Sequence, residues 1–211
     1  GSDSFLFQAF PFYSFSFTKS FYFSPYQGIG KTLLNRPELT LNSGLGFHFG
    51  RKESRDSNLN GLGSISPSPI IKLSSHSKLY YAFFKTDTSF GLGQLSNTIY
   101  SDISIGHQLV IPYIWIFGSL SYSLRVSNTH YHQLFYGITS SQEQQTNYPK
   151  YKPTGGLEST SLTLSLFKPV TKKTKLLLTL SQTTIENNAK KSPLVFNDTY
   201  SSLMGFVMYS L

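Results

Sequence analysis

The chain has 211 residues, with 18 Lys and Arg against 10 Asp and Glu and a formal net charge of +8. Charged residues make up only 13% and aromatics 16%; this excludes a disordered chain, which needs high charge and few aromatic groups, and disfavours a helical one, which Ala, Glu, Lys and Leu would dominate. The absence of Cys removes disulfides, thiolate catalysis and Cys-based zinc sites, and the scattered Lys and Arg carry no nucleic-acid-binding signature, so no nucleic-acid partner is expected.

No run of 18 apolar residues occurs, so no membrane-spanning helix is expected. What recurs is alternation with period two, which puts successive side chains on opposite faces of a strand. In chain order the pattern predicts strands at 5–17, 21–34, 39–50, 65–74, 79–86, 98–111, 113–127, 157–167, 175–185 and 202–211. In the first two, Pro11, Pro25 and the pair Gly28 and Gly30 predict interruptions or bulges, because proline cannot donate to a ladder. The third sets Leu39, Leu41, Leu45, Phe47 and Phe49 against Thr40, Asn42, Gly44, Gly46 and His48. The seventh sets Ile116, Leu120, Tyr122, Leu124 and Val126 against Ser119, Ser121, Ser123 and Arg125. Segments 161–166 and 176–183 alternate Leu with Ser or Thr, and the last carries Leu203, Gly205, Val207, Tyr209 and Leu211 on one face.

A water-soluble sandwich would expose Lys, Glu, Asp and Arg on its outer face. Here the second face is Ser, Thr, Gly, Asn and Gln, which suits the crowded inside of a narrow barrel. Aromatics gather near segment ends, as at Tyr80, Tyr81, Phe83, Phe84, Tyr113 and Trp115, where interfacial belts would place them. Short links (35–38, 75–78, Pro112, 168–174) alternate with long ones (51–64, 87–97, 128–156, 186–201), as periplasmic turns alternate with extracellular loops in outer-membrane barrels. The expectation is an all-β protein: a closed antiparallel transmembrane β-barrel of about ten strands, with eight or twelve left open. It would form one outer-membrane domain over 1–211, with both termini on the periplasmic side and a further strand before Gly1 left open. Its outer face would meet outer-membrane lipid and lipopolysaccharide.

Few residues suggest chemistry. His130 and His132 sit two apart in the longest link, but no carboxylate cluster accompanies them, and a metal or catalytic site needs further ligands or an oriented partner. Parity places Asp102 on the small-polar face with Ser104 and Gly106, and His107 on the opposite one; an inward charge needs a partner, and Arg125 on the next strand points the same way. The glycines of Gly61-Leu62-Gly63 and Gly91-Leu92-Gly93 lack nucleotide-loop spacing and read as turn glycines. No catalytic, cofactor-binding or metal-binding residue is assigned, and no cofactor is expected.

The second half carries Phe135-Tyr136-Gly137-Ile138, then Tyr148-Pro149-Lys150-Tyr151-Lys152-Pro153-Thr154-Gly155-Gly156, then Ser192-Pro193-Leu194-Val195 and a terminal strand. In order and spacing it resembles the MipA/OmpV family of Gram-negative bacteria, named for a protein that interacts with a lytic transglycosylase; the terminal Leu211 departs from the family's usual Phe. The resemblance implies a small outer-membrane barrel without enzymatic activity. It implies a scaffold between periplasmic murein hydrolase and synthase, with a narrow porin-like uptake channel, or an adhesin working through the 128–156 loop, as alternatives.

Overall fold

The computed structural model describes residues 15–16, 20–24, 28–171 and 174–209. Eleven strands form one sheet in which each pairs antiparallel with the next in the chain. They are β1 (Phe15–Ser16), β2 (Phe21–Ser24), β3 (Gly28–Asn35), β4 (Leu39–His48), β5 (Ser68–Leu79), β6 (Ala82–Gly91), β7 (Ile99–Ile111), β8 (Ile116–Ser127), β9 (Gly156–Pro169), β10 (Thr174–Ile185) and β11 (Thr199–Tyr209). The links at 36–38, 80–81 and 112–115 lie at one end of the sheet, and those at 49–67, 92–98, 128–155 and 186–198 at the other.

Two predicted boundaries are corrected. Segment 21–34 is not one strand but the antiparallel pair β2 and β3, in register Phe21↔Lys31 and Ser24↔Gly28, and Gly28 sits at φ +82, a conformation open chiefly to glycine. Among the described residues eleven strands therefore stand where the pattern predicts about ten, and β1 runs from the long-loop end toward the short turns. The prediction of both termini at the short-turn end falls, for the N-terminus, on residues 1–14, outside the described residues. Apart from 15–16, the predicted strand 5–17 lies outside the described residues.

The second correction moves a turn. Ser75-His76-Ser77-Lys78, predicted as a link, lies within β5 and pairs with β6 (His76↔Lys85, Ser75↔Thr86). The real turn is Tyr80-Tyr81. In this chain Ser and His are strand residues, so their polarity does not mark a break. Tyr80 (φ +53) and Trp115 (φ +51) hold a left-handed conformation that costs an L-residue roughly 1–2 kcal/mol. Both stand exposed at the short turns, with Tyr81 and Tyr113 beside them, where the aromatic belt is predicted.

The long links are more ordered than the sequence pattern predicts. The 128–155 link holds α1 (Thr129–Tyr136) and α2 (Ser140–Gln145), and 186–198 holds α3 (Asn187–Lys190). Asn128 caps α1 by accepting from the Tyr131 amide. Thr139 and Gln142 form a reciprocal capping box on α2, which satisfies two otherwise orphaned donors.

The two faces of the sheet separate by parity, as predicted. The apolar face is turned out to solvent: Ile29, Leu45, Phe47, Ile105, Leu120, Leu178 and Leu203 are all exposed, Phe47 at 68%. In water each would forgo roughly 1.5–3 kcal/mol of burial. Residues from β5 through β10 line one common cavity, so the sheet curls with its polar face inward. There, directly opposed hydroxyls pair across the strands: Ser104–Ser123 at 2.9 Å, Ser161–Thr183 at 2.8 Å, Ser165–Thr179 at 3.3 Å and Ser181–Ser202 at 2.8 Å. Gly106 leaves the room that the Phe83 ring occupies, since a Cβ there would strike it; Phe83 thus points inward rather than into a belt. The buried apolar residues (Leu62, Ile65, Ile70, Leu95, Tyr131, Ile138, Ile185 and Ala189) lie in the long links or at the strand ends beside them. The chain's closest approach to an ordinary core is therefore at one end of the sheet.

Candidate functional site

Alternation places Asp102 and Arg125 on the inner face, and register makes them direct partners. The guanidinium forks onto the carboxylate, Nε to Oδ1 at 2.7 Å and Nη2 to Oδ2 at 2.9 Å, the bidentate geometry in which this pairing is strongest. The predicted pair is thus present. Asp87 faces Asp102 from β6, and two adjacent carboxylates would repel. Lys85, two residues along on the same face, answers Asp87 at 2.7 Å.

Above this layer the long-loop end is filled. The Arg125 guanidinium lies 5.4 Å from the Tyr100 ring centroid, and Tyr100 stands 5.0 Å from Tyr131 of α1. Phe135 of the same helix stacks on Tyr131 at 4.5 Å and His48 of β4 at 5.1 Å. So α1 lays its apolar face across the inner face of β4 and β7.

One carboxylate holds this helix in place, and sequence reasoning missed it. Register slips between Arg125↔Ser159 and Val126↔Leu157, leaving Glu158 as the extra residue of a β-bulge. A bulge re-aims a side chain; here Glu158 turns inward beside Ser159. It is 4% exposed and accepts from Ser127 Oγ at 3.0 Å and Tyr136 Oη at 2.9 Å. Burial pushes the Tyr131 and Tyr136 phenols up, so both remain protonated and Tyr136 remains a donor. The only signal in the sequence was a lone acid in a segment otherwise of Ser, Thr, Leu and Phe.

The segments that carry the family resemblance converge here. Ile138 bridges Tyr151, Ser192 Oγ donates to the Tyr136 carbonyl at 2.6 Å, and Tyr151 Oη donates to the Asn188 carbonyl at 2.6 Å. Two further bonds reach the 49–67 link: Arg51 Nη1 to the Phe135 carbonyl at 3.1 Å and Gln142 Nε2 to the Leu62 carbonyl at 2.6 Å. These residues interlock three loops into one cap.

His130 and His132 do not come together as a site. Both lie on α1, but His130 is exposed and His132 is fully buried, its ring 5.8 Å from that of Tyr136. Burial lowers the affinity of His132 for a proton, against the nearby Thr154 backbone, which raises it. Neither ring nitrogen makes a hydrogen bond of good geometry among the described residues. Among those residues no group of three His, Asp or Glu could hold a metal ion. His107 points outward beside Tyr81, at 5.9 Å, as its parity predicts. Gly61, Gly63 and Gly93 have positive φ, as turn glycines.

The short-turn end is open by contrast. One cavity of about 620 Å³ is lined by His76, Phe83, Lys85, Gln108, Phe117, Ser119, Phe167 and Leu177, among others. A second, of about 460 Å³, shares His76 and adds Asn35, Arg36, Pro37, Thr40 and Lys78.

The sequence model of one family, described as MltA-interacting protein MipA, matches residues 1–211, the whole chain. No curated protein and no solved structure matches it.

Proposed function

The chain belongs to the MipA family, that of the MltA-interacting protein, and from that premise we propose that it is a non-enzymatic outer-membrane β-barrel that holds a murein enzyme at its periplasmic rim. The observation that carries this reading is the outward row of Ile, Leu and Phe on every long strand, set against an inner face of paired hydroxyls and ion pairs. Such an arrangement is unfavourable in water and favourable in hydrocarbon, where only a closed sheet leaves no unpaired edge. β1 and β11 run the same way, so antiparallel closure calls for a twelfth strand between them. The short turns then face the periplasm and the interlocked cap faces outward.

A conducting pore is the less favoured alternative. α1 and its aromatic cluster cross the upper lumen, and Lys72, Lys85 and Arg125 offset Asp87, Asp102 and Glu158 within it. A planar bilayer is expected to stay silent.

For the test, the protein is folded in outer membranes with a photocrosslinking residue at Arg36 or Tyr113 on the short turns, or at Lys150 in the cap. Heat-modifiable gel migration is expected for all three, and crosslinks to an MltA-type enzyme from the short turns alone. Capture from the cap only, or from none, would reject the scaffold. Absence of a heat shift would reject the barrel itself.

A further inference from the structure

Near the short turns the inner face carries an unbroken apolar row in place of its small-polar residues. Register aligns Val110 with Phe117, Phe117 with Phe167, and Phe167 with Leu177. Four adjacent strands thus present a continuous apolar row inward, and Val110 and Phe117 in it are exposed. This row does not meet lipid, because the parity of the outer leucines is the opposite one. Nor does it pack under the cap, whose contacts lie at the other end of the sheet. Across the cavity, β3–β6 and their short turn supply Arg36, His76, Lys78 and Lys85. Lys85 is engaged by Asp87. No carboxylate lines either cavity among the described residues. The larger cavity falls within the roughly 300–1,000 Å³ typical of small-molecule sites.

One wall is apolar, with the Lys175 ammonium 5.9 Å from the Phe167 ring centroid at its edge, the opposite rim is cationic, and α1 crosses the upper end. We propose that this vestibule binds a single-chain anionic amphiphile, its tail along Phe117, Phe167 and Leu177 and its carboxylate or phosphate head on Arg36, Lys78 and His76. The inference rests on the barrel reading, which makes this cavity a lumen rather than a groove. Charge selects the head: a cationic or neutral amphiphile would leave the basic rim unpaired.

The full chain, held in amphipol to avoid competing detergent, would be titrated with cis-parinaric acid, followed by fluorescence. Saturable binding is expected, displaced by dodecanoate or dodecyl phosphate at concentrations on the order of tenfold below that of dodecyltrimethylammonium. Stronger displacement by the carboxylate would point to a free fatty acid, and by the phosphate to a lysophospholipid-type head; either supports the site. The Arg36→Ala/Lys78→Ala double variant and, separately, Phe167→Ser should each weaken binding on the order of tenfold, whereas Tyr113→Ser on the outer rim should leave it unchanged. Non-saturable partitioning, equal displacement by the cationic amphiphile, or indifference to both variants would overturn the proposal. Heat-modifiable migration is recorded for every sample. Lost binding with that shift intact rejects the vestibule alone, and a wild type without the shift rejects the barrel.

Discussion

The two ends of this sheet solve opposite problems. At the long-loop end, four links bury Ile65, Leu95, Ile138 and Ala189, and three of them tie themselves together by side-chain bonds to backbone carbonyls, as the core of a water-soluble domain would. At the short-turn end the links are two to four residues long, aromatic rings stand free and the interior is open. Between them, the wall reverses the usual rule, with apolar residues outside and polar ones inside. Rigidity thus comes from ladders and hydroxyl pairs along the wall, and from ordinary apolar packing only in the cap. On the proposed membrane reading, a change in the wall should therefore be felt through the bilayer, and a change in the cap through local unfolding.

The strongest way to break this contrast is a charge on the wall. Leu178, mid-strand on β10 and 45% exposed, is expected to lose about 2–4 kcal/mol of stability as Leu178→Arg, the cost of a cation near the bilayer midplane. Denaturant titration in liposomes measures it. A change under about 0.5 kcal/mol, the usual range for an exposed position in water, would remove the lipid from the picture.

The cap is next. Tyr136→Phe removes one of the two donors to the buried Glu158 carboxylate, a bond to a charged acceptor worth roughly 1.5–3 kcal/mol. Hydrogen exchange across 128–155 should accelerate while the amides of β8–β10 stay protected. Uniform loss of protection would mean that wall and cap unfold as one unit. The smallest expected effect sharpens the same boundary further. Thr139→Ala removes the capping box of α2 and should cost about 1 kcal/mol, read as faster exchange confined to 139–146. Any loss of protection in the strands of the sheet from this substitution would contradict the independence of the two regions.

Comparison of the Asp102–Arg125 pair with Glu158 separates what could be read in the chain from what could not. Both are charges on the inner face. The first was deducible because alternation is local: counting residues tells which side each side chain takes, provided the strand is regular. The inward turn of Glu158 breaks that count. It exists because β9 carries one residue more than β8 opposite it, a property of two strands and not of one. The Tyr80-Tyr81 turn failed for a related reason. Ser is a common turn former, but here the polar run continues the strand, with His76 and Lys78 facing inward and Ser75 pairing with Thr86 at 2.6 Å on the outer face, so only pairing with β6 reveals that β5 continues.

The sequence alone determined the all-β class, the segregation of leucine and phenylalanine from serine and threonine, and the side on which Asp102, His107 and Arg125 fall. The tertiary structure decided the division of 21–34 into two strands, the helices and mutual locking of the long loops, the opposite fates of His130 and His132, and the alignment of Val110, Phe117, Phe167 and Leu177 into one row. The physical reason is that side-chain direction follows from backbone geometry over two residues, whereas register, bulges and loop packing depend on partners tens of residues away.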